Sequence, residues 1–328
     1  MKRVLNHKFI DIISLENLLE AWREFLIGKR NKKDVGIFGA RLMDNLFLLH
    51  QDLVYHNYFP GAYKSFKISD PKPRQIHKAS VSDRLLHHAI YRKLYPFFDK
   101  SFIYDSYSCR LDKGTHRAIK RFQAYFYKVS CNNTRSCFVL KGDIRKFFAS
   151  IDQKILLGML REKISDKEII CLLKKIIFSF NSGQLGKGLP LGNLTSQLFA
   201  NIYLDRFDQF LKHHLKIKYY IRYADDFVVM SDDKKYLEKL ITPVKQFLYE
   251  ELKLEIHPKK IFIKTLASGV DFLGWVVFPD HKILRKVTKK KMFKKLRENN
   301  YKKESLNSYL GMISHGNAYK IKKIILEK

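Results

Sequence analysis

An α+β fold is what this sequence predicts, and three observations carry that reading. Stretches with apolar residues at helical spacing are interleaved with short apolar runs rich in β-branched and aromatic residues. The two kinds follow no regular βαβ alternation and no internal repeat, which argues against a doubly wound sheet. Hydrophobic residues make up 46% and aromatic residues 14% of 328 positions, enough to bury a core spread over two or three lobes.

The elements can be justified in chain order. Ile12, Leu15, Leu18, Leu19 and Trp22, then Leu42, Leu46 and Leu49, fall at helical spacing around the basic turn GKRNKKDVG, which predicts a helical extension over residues 1–60. FKISDPKPRQIHKASVSDRLLHHAI predicts a short strand, a Pro-bounded turn and a helix from about Ser82 to Leu94. Phe138, Val139 and Leu140 predict a buried strand that ends at Lys141-Gly142-Asp143. Residues 153–180 read as helical, and the Gly-rich NSGQLGKGLPLGNLTSQ leads into a helix through Asn201 to Leu215. In YYIRYADDFVVM, two strand-like runs flank Ala224-Asp225-Asp226, as in a hairpin. A helix from about Asp233 to Leu252, a strand pair in GVDFLGWVVFP and a very basic tail complete the chain.

Charge narrows the function. Lys and Arg number 63 against 32 Asp and Glu, a formal net charge of +31 with a pI near 9.8. An anionic membrane surface would use the same charge, but its size and spread along the chain favour nucleic acid. Cys109, Cys131, Cys137 and Cys171 form no C-x-x-C pair, so they read as free thiols rather than a zinc or disulfide framework. The N-terminal segment reads as an amphipathic helix, not a signal peptide, and no run of about 18 apolar residues predicts a membrane span.

The chemistry is expected at the acids. Asp225-Asp226 also suits a plain turn, but Asp143 closes a second apolar strand. Three carboxylates converging from two strands need a cation, because like charges in close range otherwise protonate. Oxygen donors without His or Cys suit Mg²⁺, and two such ions about 3.5–4 Å apart support phosphoryl transfer.

At this point the motifs resemble those of reverse transcriptases. RQIHKASVSDRLLHHAI, DSYSCRLDKGTHRAI, LKGDIRKFFASID, GLPLGNLTSQLFANIYLD, YADD, LKLEIHPKK and FLGW appear in family order from about Lys72 to Trp275. The resemblance implies a right-hand polymerase of fingers, palm and thumb with an antiparallel palm sheet. Fingers and palm would span 61–278 and a basic thumb 279–328, after the N-terminal extension. It implies that two Mg²⁺ ions are held by Asp143, Asp225, Asp226 and the Ile144 carbonyl. It further implies that Phe148 is a gate against ribonucleotides, that Lys72 and Arg74 hold the incoming triphosphate, and that Lys260 protonates pyrophosphate. Lys259 suits that last role equally by spacing, and Phe148 also suits a plain core position.

Leu191-Gly192-Asn193-Leu194-Thr195-Ser196-Gln197 departs from the common Gln-Gly-x-x-x-Ser-Pro of the family. An aliphatic residue at 191 and Gln197 are similar to the reverse transcriptases of diversity-generating retroelements, and so are FPDHKILRK and SYLGMISHGNAYKIKK. Leu191, Gly192 and Gln197 are therefore expected at the nucleotide. Lys289, Lys290, Lys294 and Arg297, around an apolar stripe of Val287, Met292, Phe293 and Leu296, are expected to contact a template–primer duplex. The implied partners are template RNA with its cDNA primer, dNTPs and a small basic accessory variability protein, in the cytoplasm of a bacterium or of a phage's bacterial host. The implied product is cDNA with errors at template adenines. Retron, group II intron or phage-defence enzymes are the alternatives, and an RNA-binding scaffold is the non-enzymatic one.

Overall fold

The protein is described here by a computed structural model covering residues 3–69 and 73–326. Its elements are α1 (Phe9–Ile13), α2 (Leu15–Phe25), α3 (Lys33–Ala40), α4 (Leu42–Val54), β1 (Lys64–Ile68), β2 (Arg74–Lys78), α5 (Val81–Asp99), α6 (Thr115–Val129) and β3 (Phe138–Asp143). They continue as α7 (Phe147–Ser150), α8 (Gln153–Arg161), α9 (Lys167–Phe178), α10 (Leu194–Gln209), β4 (Tyr220–Tyr223), β5 (Asp226–Ser231), α11 (Lys234–Leu252) and β6 (Phe262–Thr265). The chain closes with β7 (Val270–Phe272), β8 (Trp275–Val277), β9 (Lys282–Leu284), α12 (Lys286–Glu298), α13 (Lys303–Ile313) and α14 (Tyr319–Leu326). Among the described residues no helix is long and apolar enough to cross a membrane.

Two compact units share these elements, and each is assembled from separate stretches of chain. The first comprises residues up to 103, 144–210 and 246–255. Four of its helices begin where short polar side chains satisfy free backbone N–H groups: Ser14 caps α2, Ser80 caps α5, Asp152 caps α8 and Asp166 caps α9. Leu18, Ala21 and Phe25 of α2 and Leu85, Leu86, Ala89 and Ile90 of α5 are buried where these helices pack. Each large apolar side chain so buried contributes about 1.5–3 kcal/mol. The helical region 153–180 is two helices, because Asp166 starts α9 afresh. Phe147 and Phe148 lie on the single turn of α7, not on a strand, with Phe147 buried and Phe148 half-buried.

The second unit holds residues 104–143, 211–245 and those from 256 on. Its main sheet is antiparallel with strand order β4-β5-β3-β6, and a smaller one runs β7-β8-β9. The apolar face of α6 contributes Ile119, Phe122 and Phe126 to one core with Val139, Ile221, Val228 and Met230. Phe272 and Trp275 of the smaller sheet and Met292, Leu296, Ile313 and Ile325 of the last helices join that core. Leu273 and Gly274 both have positive φ, the backbone that a two-residue β7–β8 connection requires. Val287, expected on the apolar stripe of α12, is instead exposed, since the buried stripe runs through Met292 and Leu296.

Candidate active site

The main sheet of the second unit gathers the three acids at one end. β3 ends on Asp143, β5 begins on Asp226, and the register sets these two directly opposite each other. Asp225 shares the two-residue β4–β5 turn with Ala224, whose φ of +52° is left-handed. That backbone costs a residue with a Cβ about 1–2 kcal/mol, so the turn must be held by its surroundings. Gly142 pairs with Phe227, and a Cβ on it would lie 2.2 Å from the ring. The aromatic ring thus covers bare backbone one residue away from each of the paired aspartates.

Like charges opposed across a sheet repel, and two lysines answer them here. Lys260 Nζ donates to Asp143 Oδ1 at 2.7 Å, while the His257 N–H donates to the Asp143 carbonyl at 2.8 Å. Lys141 Nζ lies 3.7 Å from Asp226 Oδ1 and donates to the Asp271 carbonyl at 2.9 Å. The Asp143 side chain is only 9% exposed against 42% for Lys260, so this pair opens to solvent at its lysine end. Of the two lysines that spacing left equal, Lys260 is the one whose ammonium group reaches Asp143.

Carboxylates and carbonyls fit a hard cation such as Mg²⁺ by donor chemistry. Among the described residues, however, no group of three or more His, Cys, Asp or Glu side chains is gathered closely enough to hold a metal ion. Lys141 faces Asp226 and Lys260 faces Asp143, so two of the three carboxylates have an ammonium group beside them.

Sequence reasoning missed a second layer behind the turn. Arg222 is buried and donates to the Ala224 carbonyl and to Ser106 Oγ. Asp105 is also buried; its carboxylate accepts from Arg121 Nε at 2.8 Å and from the Tyr125 hydroxyl. Burial, reinforced by Asp105, pushes the Tyr125 phenol above its ordinary range. Only an arginine inside an apolar strand run, Arg222 in YYIRY, hinted at this in sequence.

In the first unit, Phe148, Leu191, Gln75 and His77 line a cavity of about 410 Å³ together with residues 180–183. The His77 N–H donates to the Leu191 carbonyl at 2.9 Å, and Asn193 Nδ2 donates to the His77 carbonyl at 3.0 Å, so β2 is fastened to the Leu191 turn. Gly192 has φ +108°, and a Cβ there would meet Ile76 at 2.7 Å. Burial lowers the His77 pKa, which favours a neutral ring beside the cavity. Arg74 is exposed at the start of β2 and Gln197 is half-buried in the first turn of α10; neither lines the cavity. Ile144 is buried, and Lys72 lies outside the described residues.

On α12, Lys289, Lys290, Lys294 and Arg297 join Lys286 around the half-buried Phe293 and line an open groove of about 750 Å³.

A sequence profile described as reverse transcriptase (RNA-dependent DNA polymerase) matches residues 67–277, from β1 through β8. The chain belongs to the reverse transcriptase family. The match contains the three aspartates, Lys260 and the cavity residues. This reverse transcriptase is similar to the protein YkfC of Escherichia coli K12, at 27% identity over 75% of this chain and 73% of YkfC. It is also similar to the group II intron-encoded protein LtrA of Lactococcus lactis, at 23% identity over 69% of this chain, and spans about half the length of LtrA, 48%. Its fold matches that of apo telomerase from Candida tropicalis truncated from the C-terminal domain, with a TM-score of 0.50 at 14% identity, over 74% of this chain and 60% of that one. The α+β architecture is accordingly that of a right-hand polymerase, and the enzyme class is RNA-directed DNA polymerase.

Proposed function

We propose that this reverse transcriptase copies a template-repeat RNA into adenine-mutagenised cDNA in a diversity-generating retroelement. The observation that carries the reading is Leu191, which lines the same cavity as Phe148 in a position where most of the family has Gln. An aliphatic side chain offers no hydrogen bond to the incoming nucleotide, so correct and incorrect pairs differ less in geometry. Leu191→Gln is expected to lower misincorporation at template adenines in a primer-extension assay. An unchanged error rate would sink the idea.

In this reading Asp143 and Asp225, with Asp226 and the Ile144 carbonyl, would hold the ions, and Asp143 lies within reach of the Lys260 ammonium. Two bound Mg²⁺ ions would supply activation of the primer 3′-hydroxyl and charge neutralisation at the pyrophosphate. The Phe148 ring excludes a ribose 2′-hydroxyl. Arg74 and Lys72 hold the triphosphate through charge-assisted contacts. Lys260 gives a proton to the leaving pyrophosphate. Gly192 and Gln197 frame the nucleotide, and the cations of α12 follow the phosphates of the template–primer duplex. Residues 61–278 act as fingers and palm and 279–328 as thumb, with 1–60 as an extension. A small basic accessory protein joins the enzyme in the bacterial cytoplasm. Asp225→Ala is expected to abolish primer extension, and an active variant would overturn the assignment of the acids.

A group II intron role is the second reading, favoured by the similarity to LtrA. Tight, specific binding of this chain to an intron RNA, with none to a template-repeat RNA, would select it.

A further inference from the structure

We propose that Arg222 is a positioning residue that holds the Ala224–Asp225 turn in its left-handed backbone and so fixes where Asp225 stands. The inference rests on the reading of Asp225 as a catalytic carboxylate.

Arg222 is 1% exposed, and no fully buried side chain among the described residues is larger. Taking a guanidinium out of water is costly unless its donors are satisfied, and an apolar side chain of similar volume would fill the space without that cost. A polar task is therefore required at this position. Two of its donations are to neutral oxygens: Nη1 to the Ala224 carbonyl at 3.2 Å and Nη2 to Ser106 Oγ at 3.0 Å. Ser106 is itself fully buried and forms a parallel bridge with Arg222. The Arg222 N–H donates to the Asp105 carbonyl at 2.9 Å, and the Tyr107 N–H donates to the Arg222 carbonyl at 3.0 Å.

The 105–107 segment is anchored in turn. The Asp105 carboxylate accepts from Arg121 and lies 3.6 Å from Lys212 Nζ. A strained backbone persists only where its surroundings determine it, and Ala224 is the strained residue of this turn, at φ +52°. Through one planar fork, Arg222 links that residue's carbonyl to an anchored segment. Lysine cannot copy this, because its ammonium is a single point of donation.

The test is a cycle of Arg222→Met and Ala224→Gly in the full chain. It is read as kcat and KM for dNTP, and as hydrogen exchange at the Ala224 and Asp225 amides. Glycine takes the left-handed backbone without being held. Arg222→Met alone is expected to lower kcat by about ten- to a hundredfold, with KM little changed, and to speed exchange at both amides. In the Ala224→Gly background the same substitution should cost about threefold or less. Equal losses in both backgrounds, or unchanged exchange, would overturn the proposal. Should Arg222→Met fail to fold, Ser106→Ala removes one anchor of the fork. Its smaller loss of kcat must likewise shrink with Ala224→Gly, and a loss that does not shrink overturns the proposal. An active Asp225→Ala enzyme removes the underlying reading, whereas an inactive one beside an indifferent Arg222→Met removes only this inference.

Discussion

At the scale of single residues, the site depends on what Gly142 lacks. Gly142→Ala would force a methyl group into the Phe227 ring, and overpacking of this kind costs about 1–3 kcal/mol. The expected outcome is a lower thermal midpoint and reduced activity, checked by calorimetry beside primer extension. Phe148→Ala should admit ribonucleotides without comparable destabilisation, since Phe148 is half-buried on the cavity wall; unchanged ribonucleotide exclusion would remove it from the gate. The meeting of Asp143 and Asp226 was legible in sequence because an acid closes one strand run beside two acids between two others, although Asp225-Asp226 alone also suits a plain turn. Lys141 and Arg222 were not, because Asp271 and Ser106 lie 130 and 116 residues away and only the folded chain brings them together.

At the scale of elements, the strands around the acids could be read from β-rich runs and turn residues, and both hairpins form where those signals place them. Helix continuity was less legible. The break before α9 depends on Asp166 taking the cap position, and a capping side chain looks in sequence like any surface acid. Helix α5 carries a pH dependence. Burial pushes His87 down to about 4, and burial, with Lys29 and Arg84 nearby, does the same to His88. Both histidines are neutral when folded and gain protons on unfolding below the ordinary 6.5. Their contribution to stability is therefore complete above that pH and is lost as pH falls toward 4. Urea unfolding at a series of pH values should show this loss, and His87→Leu should flatten it. For α12, replacing Lys289, Lys290, Lys294 and Arg297 by Ala should reduce the log–log salt slope of duplex binding by about 3.6. An unchanged slope would place the duplex elsewhere.

At the scale of the whole molecule, an irregular mixture of strands and helices sufficed to predict α+β. More than one lobe was expected, but the division of the chain between the two units did not follow from sequence, because each is built from three separated stretches whose closure depends on long-range packing. One consequence of the fold concerns ions. Lys260 and Lys141 already face Asp143 and Asp226, so stripping divalent ions with a chelator should leave the thermal midpoint of the free chain unchanged. A fall on chelation would show that resident ions hold the sheet together.

The same lysines bear on timing. A newly synthesised chain can bring Asp143 and Asp226 into register with its own ammonium groups beside them, and that pairing needs nothing from solution. That end of the sheet is then set by the chain alone, before anything binds to it.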